Sequence, residues 1–154
     1  MYQHILVPLD GSELAECVFP HVKAISVGCA VVKVTLIRGV APLHIRGGLE
    51  SHISPDERGR IEEHATKDAG EYLKKVAAQL KDEGVAVCVE VIHGDVVNSL
   101  VEYADKNGVD LIIVATHGRS GVSRWAWGSV TDRVLRAACV PVMMIRGPGC
   151  ISGI

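Results

Sequence analysis

The chain is poor in aromatic residues. Of its 154 residues, one is Phe, two are Trp and three are Tyr, or 4% of the sequence. Because 48% of the residues are hydrophobic, the core must be built mainly from Val, Ile, Leu and Ala. Such a core suits interleaved layers of sheet and helix, and this apolar content excludes a disordered chain. The length is that of one domain.

Long apolar runs and basic clusters are also missing. No run approaches the roughly 18 residues of a membrane helix. The first residues, Met1-Tyr-Gln-His-Ile-Leu-Val-Pro, enter a strand pattern at once and leave no room for a secretory signal. With a net charge of −2 and interspersed charges, the chain lacks the basic footprint of a protein that binds duplex nucleic acid or an anionic membrane. We therefore expect a cytoplasmic protein with a small partner, not a nucleic acid or a membrane.

Metal-ligand spacing is absent as well. The five cysteines are scattered, mostly among apolar neighbours, and are expected to be reduced thiols: Cys17, Cys29, Cys88, Cys139 and Cys150. The histidines His44, His52 and His64 are too irregularly spaced for a zinc set. No metal site is predicted.

Apolar β-rich runs alternate with longer helical patterns along the chain. This alternation is typical of a parallel α/β sheet with helices on both faces. Ser12 and Asp95 are predicted helix caps, Ser54 with Glu57 forms a capping-box pattern, and Pro20 is predicted to kink the first helix. The predicted strands are 4–9, 30–37, 85–92, 110–116 and 140–146, and the predicted helices are 12–26, 54–83, 97–106 and 129–138. We expect one domain over 1–147, a mobile tail over 148–154, and an irregular, often functional, type of loop over 38–56.

The segment after the fourth strand carries the clearest functional pattern. Gly118 and Gly121 punctuate it, and Gly128-Ser129 opens a helix. Glycines let backbone N–H groups approach an anion, and a helix start adds unpaired N–H donors and the positive end of the dipole. This pattern indicates a phosphate site. The alternative is that the glycines serve a tight turn and Ser129 only caps the helix.

Two common nucleotide motifs are absent. The loop has no Gly-Lys-Ser/Thr, and the first strand is not followed by Gly-x-Gly-x-x-Gly, so a P-loop NTPase and a dinucleotide fold are disfavoured. A sheet that doubles back once opens a crevice at the carboxyl ends of its central strands. If strands one and four are neighbours, Asp10 and the loop from Ala115 face each other there.

The glycine spacing and the start of the chain together resemble the universal stress protein family. That family's nucleotide motif is Gly, two residues, Gly, nine residues, then Gly-Ser or Gly-Thr; here Gly118 and Gly128-Ser129 match, while Ala115 replaces the first glycine. Ile5-Leu-Val-Pro-Leu-Asp-Gly-Ser12 and the last strand, 140–146, extend the similarity over 4–146. The resemblance implies a three-layer fold with a five-stranded parallel sheet of order 3-2-1-4-5. It also implies a homodimer, through the last strand 140–146.

The resemblance further implies that the protein binds an adenine nucleotide, either ATP or, as alternatives, AMP or ADP. Mg²⁺ is expected only where the bound nucleotide carries it. Pro8, Leu9 and Asp10 would form one wall of the adenosine site. Gly39 falls where family members usually place an apolar residue whose backbone addresses the adenine edge. The residues expected around the phosphates and the strand end are Ala115, Thr116, Gly118, Arg119 or Arg124, Gly128, Ser129 and the Val130 amide. Structural alternatives stay open: Asp10 as a turn residue, and Arg119 and Arg124 as solvated surface.

Three functions are compatible with these patterns. The favoured one is a cytosolic stress-response protein that binds ATP as a regulatory ligand, with at most slow hydrolysis. The second is a dimeric interaction module of the same fold whose nucleotide site has degraded, as Ala115 and Gly39 would indicate. The third, an adenylate-forming enzyme, would need further catalytic groups or an added domain. His117 has no visible nucleophile or carboxylate arranged with it, so no catalytic residue is predicted.

Overall fold

The computed structural model describes residues 1–42, 54–82, 84–116 and 129–147, with Ser129 described through its backbone only. Strands and helices alternate along these segments. The strands are β1 (His4–Pro8), β2 (Lys33–Val40), β3 (Val87–His93), β4 (Leu111–Thr116) and β5 (Val142–Arg146). The helices are α1 (Glu13–Glu16), α2 (Phe19–Gly28), α3 (Pro55–Asp82), α4 (Val96–Lys106) and α5 (Ser129–Ala137).

The five strands form one parallel sheet in the order β3-β2-β1-β4-β5, which confirms the predicted topology. The register pairs Ile5 with Val34 on one side of β1 and with Leu111 on the other. The direction in which successive strands are added to the sheet reverses between β1 and β4. The carboxyl ends of these two strands therefore flank the crevice where ligands bind in open parallel sheets.

Two apolar layers cover the sheet. On one face, Ile5 and Val7 pack with residues of α1, α2 and α3 such as Leu73. On the other face, Leu6 and Ile37 pack with residues of α4 and α5 such as Leu100. Alternate residues of β1 thus enter opposite layers, as the two-residue period of a strand requires. This burial on both faces explains the unbroken apolar run of the central strands.

The predicted helix caps are confirmed. The Ser12 hydroxyl accepts a hydrogen bond from Ala15 N at 3.1 Å, and Asp95 Oδ1 accepts one from Asn98 N at 2.9 Å. At the start of α3, Ser54 Oγ accepts from Glu57 N at 3.2 Å, while Glu57 Oε2 accepts from Ser54 N at 2.9 Å, a reciprocal capping box. These bonds satisfy N–H groups at each helix start that have no intrahelical partner.

The bounds of several predicted elements were wrong, and for two of them the structure shows the cause. The helix predicted over 12–26 is two helices, because Pro20 has no N–H to continue the first one and instead occupies the first turn of α2. The second strand begins three residues later than predicted, since Ala30 has a left-handed φ of 52° and Val31 N bonds back to Ser26 O. It also runs on to Val40, because β3 pairs with it as far as His93. Residues 38–40 therefore belong to β2, not to the predicted loop.

Candidate nucleotide pocket

A cavity of about 380 Å³ lies at the carboxyl ends of β1, β2 and β4. Helices α1, α4 and α5 complete its walls. The described lining is mostly apolar, and it comprises Pro8, Leu9, Asp10, Ser12, Leu14, Ala15, Ile37, Arg38, Gly39, Val96, Leu100, Val114, Ala115, Val130 and Thr131. Apolar walls with a few polar groups are typical of sites for small organic ligands.

Six residues that the sequence singled out lie together on this cavity: Pro8, Leu9, Asp10, Gly39, Ala115 and Val130. Thr116 is 6% exposed and outside the cavity lining, and its carbonyl accepts a hydrogen bond from Gly147 N at 3.1 Å. Gly118, Arg119 and Gly128 lie outside the described residues, as do His117 and Arg124. Ser129 is the first residue of α5.

The backbone of Gly39 points into the cavity. Leu9 N donates to Ile37 O at 2.8 Å, so the N–H and C=O of Ile37 face β1. Because backbone groups alternate sides along a strand, those of Gly39 face the same way, two residues further on. There β1 has already ended at Pro8. An amide donor and a carbonyl acceptor are thus presented side by side to the space beyond β1.

The loop after β1 combines a turn with a position on the cavity. Asp10 is exposed on the cavity, and its Oδ1 accepts a hydrogen bond from Ser12 N at 2.8 Å. Gly11 has a φ of +92°, a conformation that favours glycine. The turn interpretation of Asp10 is therefore confirmed, and the bond that forms the turn also holds the carboxylate at the cavity.

Arg38 is a cavity residue that the sequence reasoning missed. Its guanidinium carbon lies 5.2 Å from the centre of the Tyr72 ring, and a Cβ built on Gly11 would lie 3.1 Å from Arg38 Nη1. The Tyr72 hydroxyl donates to Glu16 Oε1 at 3.0 Å. Burial raises the pKa of Tyr72, and the bond to Glu16 raises it further, so the ring stays neutral beneath the cation. The sequence signal that could have identified it is the presence of a charged residue, Arg38, in an otherwise apolar run.

The first turn of α5 borders the opposite part of the cavity. Val130 and Thr131 line it, and the Thr131 hydroxyl donates to Ala115 O at 3.3 Å, which ties this turn to the end of β4. The first N–H groups of a helix have no intrahelical acceptor and carry the positive end of its dipole. This edge of the cavity therefore favours an anion.

Metal ligands and membrane segments are not found in the part of the chain that the structure describes. Within it, no three His, Cys, Asp or Glu side chains are placed to share a metal ion. None of the described helices has both the length and the apolar character needed to cross a membrane.

Comparisons with known proteins agree with this architecture. A family model described as "Universal stress protein family" matches residues 1–146. Universal stress protein MJ0531 of Methanocaldococcus jannaschii is 32% identical over 151 residues, which cover 96% of this chain and 84% of that protein. A solved structure of MJ0577, from the same organism, has 29% identity and a TM-score of 0.78, with 97% of this chain and 99% of the other covered.

A more distant solved structure is a universal stress protein family protein from Arabidopsis thaliana with AMP bound. It is 15% identical, with a TM-score of 0.64 and coverage of 96% of this chain and 93% of that one. At this identity the likeness shows the fold alone.

Proposed function

The chain belongs to the universal stress protein family, and from that premise we propose that its cavity binds an adenine nucleotide, ATP in the first instance. The nucleotide would act as a regulatory ligand in a cytoplasmic stress response. The AMP-bound relative from Arabidopsis thaliana makes adenine nucleotides the first ligands to test.

The observation that carries the proposal is the backbone of Gly39. Its N–H and C=O face the cavity beyond the end of β1, and a donor beside an acceptor complements the edge of adenine that carries the exocyclic amine and the adjacent ring nitrogen. Backbone groups cannot move away without breaking the β2–β3 ladder. The fit to the base is therefore preorganised.

The phosphates would lie toward α5. The amides of Ser129 and Val130 stand at the start of that helix, and Gly118 and Gly128 precede it in the sequence. Asp10 would face the ribose, where a carboxylate can accept from a hydroxyl. Mg²⁺, where present, would come with the nucleotide.

Hydrolysis would be slow at most. The described lining contains one carboxylate, Asp10, which already accepts the turn bond from Ser12, and no histidine. Efficient phosphoryl transfer needs a group that positions water and charge that stabilises the leaving phosphate. A bound nucleotide would thus persist long enough to act as a signal.

ATP binding is tested by thermal unfolding with and without ATP and magnesium. At about 100 times the Kd, a ligand that binds the native state adds about 2.7 kcal/mol, which raises the Tm of a domain of this size by roughly 5 to 10 °C. We expect this shift in the wild type and its loss in Gly118→Val, where a side chain would obstruct the phosphate loop.

The matched control is Gly28→Val. A Cβ at Gly28 in α2 meets nothing within 4 Å, so this variant should keep the full shift. Release of adenine nucleotide on heat denaturation of the purified protein would be independent support. Absence of both nucleotide release and a shift at millimolar ATP would refute the proposal.

A second candidate is a dimeric interaction module of the same fold that binds no nucleotide. The specific observation in its favour is Ala115, which lines the cavity where the family motif has glycine. In both candidates the chain would form a homodimer through the last strand. Only the first predicts an ATP-dependent Tm.

A further inference from the structure

The side of Gly39 that faces α4 is filled by another residue. A Cβ built on Gly39 would lie 2.6 Å from Val96 Cγ2, 2.7 Å from Val96 Cγ1 and 3.1 Å from Val96 Cβ. Real Cβ atoms essentially never lie so close to a neighbour, so a side chain at position 39 would force Val96 to shift. The isopropyl group of Val96 thus occupies the volume that a residue of β2 would otherwise fill.

Val96 is also part of the cavity wall. It lines the cavity together with Gly39 and Leu100 and packs against the core layer that contains Ile37. The side chain is partly buried, so part of its apolar surface is left for a ligand. The wall next to the Gly39 backbone therefore belongs to α4 instead of β2.

The position of Val96 is fixed by its neighbours. Val96 is the first residue of α4, directly after the cap Asp95. Both carboxylate oxygens of Asp95 lie 3.0 Å from Arg133 Nη2 on α5. This ion pair links the start of α4 to α5. Valine is branched at Cβ and therefore stiff at χ1, so the Val96 side chain has few alternative orientations.

From these contacts we infer that Val96 selects the base: its isopropyl group packs on the ring whose edge the Gly39 backbone binds, and it favours a two-ring purine over a one-ring pyrimidine. This inference rests on the proposed nucleotide function. With ribose and triphosphate held alike, a pyrimidine presents less apolar surface to Val96 than adenine does.

The test compares ATP with CTP in displacement of a fluorescent ATP analogue. Val96→Ala removes two methyl groups, each worth up to about fourfold when fully buried. We expect the affinity for ATP to fall about fivefold and that for CTP about twofold or less, so that the ATP-to-CTP ratio drops.

Val97→Ala is the matched control. Val97 is 2% exposed in the core layer with Leu6 and Ile37 and is outside the cavity lining. This variant should lower the Tm but leave the ATP-to-CTP ratio unchanged. If wild-type protein binds ATP but the ATP-to-CTP ratio is equal in Val96→Ala and wild type, the inference about Val96 is overturned while the proposed function stands.

A double-mutant cycle adds a second readout. Gly39→Ala should weaken ATP binding, since its Cβ collides with the Val96 methyls, and Gly39→Ala combined with Val96→Ala should recover part of that loss because the methyls are gone. Strictly additive effects would count against the Gly39–Val96 contact as the determinant. Wild-type protein that binds neither nucleotide would overturn the proposed function and this inference together.

Discussion

His4 is a buried histidine whose ring forms hydrogen bonds with two residues that are remote from it in the sequence. Its side chain is 6% exposed, Nδ1 lies 3.1 Å from Asn107 O, and Nε2 lies 2.8 Å from Thr35 Oγ1. Because a carbonyl only accepts, Nδ1 carries the proton and Nε2 accepts from the Thr35 hydroxyl. The neutral ring therefore joins β1 to β2 and to the end of α4.

This environment makes stability depend on pH. Burial lowers the pKa of His4 below 6.5, and the charge of Lys33 lowers it further. The hydrogen bond to Asn107 and the charge of Asp110 raise the pKa and offset part of this shift. Between the folded and unfolded pKa values the unfolded chain binds more protons, so this contribution is present above pH 6.5 and is lost as the pH falls. One such group contributes a slope of at most about 1.4 kcal/mol per pH unit.

The expected result is a flatter pH dependence in His4→Gln. Free energies of unfolding, measured by urea titration from pH 7.5 down to 5.5, should fall less steeply than in the wild type. His64→Gln is the control, since His64 is an exposed residue of α3 that pairs with Asp68 at 2.9 Å. Equal slopes for wild type and His4→Gln would contradict the assignment.

At the scale of elements, the start of α4 depends on one carboxylate with two roles. Asp95 accepts from Asn98 N and pairs with Arg133 of α5, and the bond from Asn98 N lowers its pKa first, with Arg133 adding to the effect. Exposed ion pairs stabilise little, whereas a lost helix cap costs more. The cap is therefore expected to dominate.

Three variants separate the two roles by their Tm. Asp95→Ala removes cap and ion pair, Asp95→Ser keeps a capping oxygen, and Arg133→Ala removes the ion pair only. We expect Asp95→Ala to lower the Tm most, and the other two to lower it by a smaller and similar amount that shrinks at high salt. An Arg133→Ala loss as large as that of Asp95→Ala would show that the ion pair dominates.

At the scale of the whole molecule, β5 is an edge strand, and no strand among the described residues pairs with its outer side. Ile112 N donates to Pro141 O at 3.0 Å and Gly147 N donates to Thr116 O at 3.1 Å, so the backbone groups of odd-numbered residues here face β4. Those of Val142, Met144 and Arg146 then face outward. The proposed dimer through 140–146 would use this outward row of backbone groups.

Met144→Pro tests that dimer. Proline removes the outward N–H of residue 144 and leaves the bonds to β4 in place. We expect wild type and the control Met144→Ala to be dimers by size-exclusion chromatography with light scattering, and Met144→Pro to shift toward monomer. A folded Met144→Pro protein that stays fully dimeric would exclude pairing through this strand.

Much of the fold follows from local patterns in the sequence. The alternation of apolar runs with helices predicts a parallel sheet, and the family resemblance implies its strand order. Ser12, Ser54 and Asp95 cap helices because a short polar side chain accepts a hydrogen bond from the N–H group three residues ahead. Element bounds were less predictable, since the extent of β2 to Val40 depends on pairing with β3, which is remote in sequence.

The sequence by itself determined the parallel sheet and the helix caps, because these follow from local spacing. Its resemblance to the family pointed to six residues that line one cavity: Pro8, Leu9, Asp10, Gly39, Ala115 and Val130. Only the tertiary structure decided that Arg38 lies on Tyr72, that His4 bonds Thr35, and that Val96 fills the space beside Gly39. Each of these contacts joins residues at least 31 positions apart. Which side chains meet at such separation is fixed by how the layers pack, and no local pattern encodes it.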